Sequence, residues 1–200
     1  TAVRPQRSLL RRIFWAIVIG GGALILLNAL LPDLDFSSQD RVALIRIEGV
    51  ILDAQATISE LKQYSENPLV KAIVLRIDSP GGSAFPSEQM WHAIRAAREK
   101  KPVIASFSDY AASGGYYLAS AADAIVSQPA TLTGSIGVFA VRPALDGLFR
   151  RFDINTATLD RAPHAEIGLM GPELSPDTRD WLQADVEETY RRFLARVAEG

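Results

Sequence analysis

The chain has 200 residues, nearly half of them hydrophobic, with a formal net charge of −2; this suits one globular domain plus an additional segment. Near-neutral charge gives no electrostatic footprint for nucleic acid. The absence of cysteine excludes a disulfide framework, a thiol nucleophile and cysteine-ligated metal, and the only histidines, His92 and His164, lack ligand spacing, so no metal or other cofactor is expected.

The additional segment comes first. Residues 1–12 are basic, with Arg4, Arg7, Arg11 and Arg12, and Ile13 to Leu31 (IFWAIVIGGGALILLNALL) is an uncharged run closed by Pro32 and Asp33. A run of this length crosses a hydrocarbon core of ~30 Å. Residues 13–32 are therefore expected to form a transmembrane helix and 33–40 a linker to the globular part at 41–200. The basic flank, opposed by Asp33, Asp35 and Asp40, predicts a cytoplasmic N-terminus and an exported domain. A cleaved signal peptide would have a shorter apolar region ending at an Ala-x-Ala-like site, which Asn28-Ala29-Leu30-Leu31-Pro32 matches poorly. Three consecutive glycines and the arginine cluster disfavour a buried core helix. Because the chain opens on Thr1, some natural N-terminal sequence is expected to be absent.

Beyond the linker, strands and helices alternate. Arg41 to Ile47 reads as a strand, and Glu48-Gly49-Val50-Ile51 turns it toward a second short extended piece. Thr57 to Glu66 has helical spacing and stops at Asn67-Pro68. Val70 to Ile77 is nearly all apolar, as expected of a central strand covered on both faces. The turn Ser79-Pro80-Gly81-Gly82-Ser83 leads to a helix over Ser87 to Lys100, whose last turn is basic. Val103 to Phe107 is the next strand, and the turn at Ala112-Ser113-Gly114-Gly115 enters a helix from about Gly115 to Ala122. A short strand at Ala124 to Ser127 and a glycine-rich turn at Thr133 to Val138 follow. Pro143 to Arg151 is read as an amphipathic helix and Thr156 to Leu159 as a strand. Ser175-Pro176-Asp177 caps a last helix running to Ala198. That helix ends at Glu199-Gly200 without a clear tail, so the natural domain is expected to continue. The class is α/β.

Two turns carry the chemistry. A serine on a glycine-rich turn into a helix presents its hydroxyl at a helix N-terminus, as Ser113 would, and a second Gly-Gly turn can aim free N–H groups at a developing oxyanion. The bland alternatives are that Ser113 caps a helix and Gly81-Gly82 forms a tight connection. A serine nucleophile also needs a base, and the four lysines, Lys62, Lys71, Lys100 and Lys101, all precede Ser113 in positions where surface charge accounts for them.

Taken together, VKAIVLRIDSPGGS, KPVIASFSDYAASGGYYLASAAD and PATLTGSIGV resemble the signal peptide peptidase A family, peptidase family S49, over Arg41 to the end of the chain. The resemblance implies a ClpP/crotonase-like fold of repeated ββα units, a homo-oligomer, and a Ser–Lys dyad that cuts signal-peptide remnants and other apolar peptides at a bacterial inner membrane. By position it implies Ser113 as nucleophile, Gly114 with the Gly81-Gly82 turn as oxyanion donors, and Ser135 as an auxiliary hydroxyl. The departure is at the base. The family's lysine position falls in Arg161-Ala162-Pro163-His164-Ala165-Glu166-Ile167-Gly168, on Ala165. A lysine from another protomer or partner, an inactive member of the family, or an engineered alanine are the open explanations. His164, a competent base by chemistry, neighbours the position and does not occupy it. The non-enzymatic alternative is a scaffold binding extended peptides along exposed strand edges. Acyl-CoA chemistry on the same scaffold is a third class, disfavoured by the Ser113 motif.

Overall fold

The computed structural model describes residues 11, 13–22, 39–155, 161–165, 167–168 and 173–200. The chain divides into two compact units, Thr1–Asp40 and Arg41–Gly200. In the first, residues 13–22 are helical (α1) and exposed. Among the described residues no helix is long and apolar enough to cross a membrane; residues 23–31, the second half of the expected span, lie outside the described residues.

The second unit runs β1 (Arg41–Glu48), α2 (Gln55–Glu66), β2 (Val70–Ser79), α3 (Ala84–Arg98), β3 (Val103–Ala112), α4 (Gly114–Ala119), β4 (Ala124–Val126), β5 (Leu132–Gly134), α5 (Asp146–Arg151) and α6 (Pro176–Glu199). It is α/β, built on a parallel five-stranded sheet in the order β1-β2-β3-β4, with β5 pairing further along β3. Alternation within the strands sets the core: Ala43, Ile45 and Ile47 of β1, Ile73, Leu75 and Ile77 of β2, and Val103, Ala105 and Phe107 of β3 are all buried. They meet Leu61 of α2, Met90, Trp91 and Ile94 of α3, and Leu118 of α4. Each such Ile or Leu contributes roughly 1.5–3 kcal/mol on burial.

The expectation that β2 is covered on both faces is corrected. Its alternate residues Ala72, Val74 and Arg76 are only half-buried, and Val42 and Leu44 beside them on β1 are exposed. Arg76 occupies that second face because it has work across the strand pair. Its guanidinium donates to Ser106 Oγ (3.0 Å), the Phe107 carbonyl (2.9 Å) and Ser108 Oγ (3.1 Å). These bonds lie where the register slips: Ile77 faces Phe107, but Ser79 faces Ala111. β3 thus spends two extra residues there, a bulge that bends the strand as it approaches Ser113. Asp78 Oδ1 accepts the Tyr110 N–H at 3.2 Å on the far side of the slip.

Helix ends follow local chemistry. Ser175 caps α6, accepting the Thr178 N–H at 3.3 Å, with Pro176 in the first turn. Lys101, read from sequence as surface charge, instead donates to the Tyr64 carbonyl (2.8 Å) and the Asn67 carbonyl, closing the C-terminal end of α2. The helix expected over Pro143 to Arg151 shortens to α5, which buries no side chain and is held by an Asp146–Arg150 pair at 2.8 Å. The strand expected at Thr156 to Leu159 falls outside the described residues.

Candidate active site

Both glycine turns lie beyond the C-terminal ends of adjacent parallel strands, where α/β sheets commonly hold their ligands. Gly81 has φ +96°, and a methyl group added to it would lie 2.6 Å from Gly114 N, 2.7 Å from Ser113 Cβ and 2.9 Å from the Ala112 carbonyl oxygen. Only a hydrogen side chain allows the turns to approach this closely. Ser113 is half-buried and has φ +50°, ψ −121°, a conformation that costs a non-glycine residue ~1–3 kcal/mol. It is fixed by the surrounding ladder, since the Ser113 N–H donates to the Gly134 carbonyl at 2.9 Å.

The orientation of two peptide groups follows from planarity. The Gly81 carbonyl accepts the Ile51 N–H at 2.9 Å. Every described peptide bond is trans, so the N–H of Gly82, in the same plane, points the opposite way. The Ser113 carbonyl likewise accepts the Tyr117 N–H at 2.8 Å in the first turn of α4, which turns the Gly114 N–H outward. Among the described residues neither the Gly82 nor the Gly114 N–H has an acceptor. The Gly81 N–H, by contrast, donates to Ser79 Oγ at 3.1 Å. That removes Gly81 from the donor set expected from sequence: what it supplies is close approach.

Ser113, Gly82 and Gly114 border a cleft of about 600 Å³, a size suited to a peptide side chain and its neighbours. Its apolar wall includes Val50, Leu52, Phe85, Val138, Phe139 and Phe193, and its charged members are Glu88 and Arg192. Phe193 anchors α6 beside α4, its ring 4.9 Å from that of Tyr117. Glu88 accepts from Arg196 (2.9 Å) and pairs with His92 (3.0 Å). The hydrogen bond that Arg196 donates to Glu88 holds its guanidinium pKa above the ordinary value, and Arg196 lies over the Trp91 ring at 4.3 Å. Sequence reasoning missed the α6 contribution, because amphipathic spacing does not say which element a helix will meet.

Among the described residues, no lysine or histidine lines the cleft. Lys71 stands at the start of β2, Lys100 and Lys101 just before β3, and Lys62 near the end of α2, all toward the N-terminal edge of the sheet. A ten-residue strand such as β3 spans roughly 30 Å, so no lysine of this chain reaches Ser113. His164 has φ +61°, stacks on Trp181 at 5.3 Å and meets Thr178 Oγ1 at 3.2 Å. Eleven residues of helix, ~16 Å, separate Thr178 from Thr189, the first residue of α6 to border the cleft. Ala165, next to His164, is exposed in a turn. Neither His164 nor Ala165 borders the cleft that holds Ser113. Ser135, exposed at φ +51°, follows Gly134, which binds the Ser113 amide, but does not border the cleft.

The sequence pattern of peptidase family S49 matches residues 95–200, from the end of α3 through the Ser113 turn to the last helix. The chain belongs to peptidase family S49. It is 39% identical to the chloroplastic serine protease SPPA of Arabidopsis thaliana, over 80% of this chain and 26% of that protein. It is 37% identical to protease 4 of Salmonella typhi, over 79% of this chain and 27% of that one. Protease 4 of Haemophilus influenzae is 34% identical, over 82% of this chain and 28% of that one. The chain thus spans about a quarter of the length of these S49 relatives. Among the described residues no group of side chains is arranged to hold a metal ion.

Proposed function

We propose that this S49 chain is the serine-bearing part of a membrane-anchored peptidase that cuts apolar peptides such as signal-peptide remnants. The observation that carries the reading is the pair of unpartnered amides, Gly82 and Gly114, flanking a serine held at positive φ. Ser113 Oγ attacks the scissile carbonyl as a base takes its proton, and the oxyanion receives hydrogen bonds from the two amides. One such donor is worth ~2.7–4 kcal/mol of barrier. Collapse expels the amine, which takes the proton back from that base, and leaves an acyl-enzyme, which water hydrolyses with the same base. The base is none of the four lysines of this chain, which stand at the wrong edge of the sheet; on this reading it is a lysine outside these 200 residues, such as one of another protomer or partner polypeptide. The apolar cleft wall favours apolar side chains.

The finer fold reading is the ClpP/crotonase type. β1, Ile51 and α2, then β2, Gly82 and α3, form successive strand, extended-residue and helix units, with Ile51 and Gly82 joined by a parallel bridge. Arginines 4, 7, 11 and 12 ahead of the apolar run at 13–31 support a single anchor in a bacterial inner membrane with the S49 domain on the extracytoplasmic face. The second reading, a peptide-binding scaffold, is favoured by the missing base.

The test is hydrolysis of an apolar fluorogenic peptide as a function of protein concentration, with Ser113→Ala as control. Turnover should be negligible for the isolated monomer and appear, Ser113-dependent, only in an assembly. Concentration-independent turnover by a monomer would overturn the trans base. No Ser113-dependent turnover in any native assembly would leave the scaffold reading.

A further inference from the structure

Ser79 is completely buried between the sheet and the Ser113 turn, and the proposed reaction has no step for it. Its hydroxyl makes two bonds of opposite sense. The O–H donates to the Gly49 carbonyl at 2.6 Å, and the oxygen accepts the Gly81 N–H at 3.1 Å. A serine hydroxyl has one proton; with that proton on Gly49, a lone pair is left for the Gly81 amide. The same residue touches the second turn as well. A methyl placed on Gly115 would lie 2.9 Å from the Ser79 carbonyl oxygen, and Ser79 is the β2 residue that faces Ala111 after the register slip.

We propose that Ser79 is the positioning residue of the oxyanion site, its hydroxyl tying the β1–α2 connection to the Gly81 amide so that the Gly82 N–H stays aimed at Ser113. The inference rests on the peptidase reading for the meaning of that aim, and on geometry alone for the clamp. Gly81 is held on both sides, its N–H by Ser79 Oγ and its carbonyl by the Ile51 N–H at 2.9 Å. The first bond fixes the Pro80–Gly81 peptide and the second fixes the Gly81–Gly82 peptide, which carries the Gly82 N–H, so the dihedral angles of Gly81 between them are set. Without the hydroxyl, a glycine at φ +96° has wide conformational freedom and only the Ile51 bond to restrain it. Neither Gly49 nor Ser79 borders the cleft, so the effect would fall on stabilisation of the transition state and leave ground-state binding alone.

The experiment compares the wild-type chain, Ser79→Ala and Ser65→Ala. Ser65 is a second buried serine, donating to the Lys62 carbonyl at 3.0 Å within α2, and serves as the control for loss of a buried hydroxyl. Amide exchange of Gly81 and Gly82, read by NMR on the purified full chain, needs no activity. Ser79→Ala should speed Gly81 exchange at least tenfold beyond any change at core amides, and Ser65→Ala should not. In native membranes with an apolar peptide, Ser79→Ala should lower kcat by about a hundredfold, the scale of one lost oxyanion donor, with KM unchanged, while Ser65→Ala keeps kcat. Unaltered Gly81 exchange overturns the inference. So does unaltered kcat in Ser79→Ala where Ser113→Ala abolishes turnover. If wild-type membranes show no Ser113-dependent turnover, the peptidase reading falls, and the exchange measurement alone decides whether Ser79 clamps the turn.

Discussion

Replacing Gly81 by alanine tests whether the two glycine turns touch as the structure has them. Among the described residues of the S49 domain three glycines have positive φ: Gly49 at +71°, Gly81 at +96° and Gly134 at +79°. An L residue forced into such a conformation costs ~1–2 kcal/mol, and this contribution is common to all three. Gly49 and Gly134 have open space where a methyl group would go. At Gly81 the methyl would stand 2.6, 2.7 and 2.9 Å from atoms of Gly114, Ser113 and Ala112. Two of the three are backbone atoms that cannot rotate away. Overpacking of this kind adds ~1–3 kcal/mol. Gly49→Ala and Gly134→Ala should therefore destabilise by ~1–2 kcal/mol, and Gly81→Ala by roughly 2–5 kcal/mol. The assay is urea denaturation of the detergent-solubilised chain followed by tryptophan fluorescence, with Trp91 buried against the core. Each kcal/mol should also lower the thermal midpoint by ~2–4 °C. If all three alanine variants unfold at the same urea concentration, the turns do not approach each other this closely, and the shared oxyanion site has no geometric basis.

Ser113→Gly should be more stable than Ser113→Ala by about 1 kcal/mol, because only glycine releases the strain at φ +50°; urea midpoints of the two inactive variants check it, and equal midpoints would mean the turn is unstrained. Lys101→Met should cost ~1–2 kcal/mol through loss of the charged bonds that close α2, visible as faster amide exchange at Asn67 and its neighbours in the last turn. Phe193→Ala should cost ~3–5 kcal/mol and free α6 from Tyr117, detected as a loss of near-ultraviolet circular dichroism. Protease added to spheroplasts should digest the S49 domain; digestion only after lysis would reverse the proposed orientation.

Residue pattern alone carried the alternation of strands and helices and the location of both glycine turns. Short-range chemistry governs those features: β-branched runs favour strands, Asn67-Pro68 stops α2, and Ser175-Pro176 starts α6. The missing base was legible too, since no lysine follows Ser113. Tertiary structure decided the rest. Gly81 looked like an oxyanion donor until Ser79, across from Gly49, was seen to take its N–H. Lys101 looked like surface charge until folding placed it on the carbonyls of a helix more than thirty residues earlier in the chain. Ala165, where the resemblance puts the family's lysine, is next to His164, which packs on the start of α6, about three helical turns from Thr189, the first residue of α6 to border the cleft. The Ser79–Gly49 bond and the Lys101 bonds join residues thirty or more positions apart, brought together by how helices and strands pack, and local pattern holds no record of such contacts.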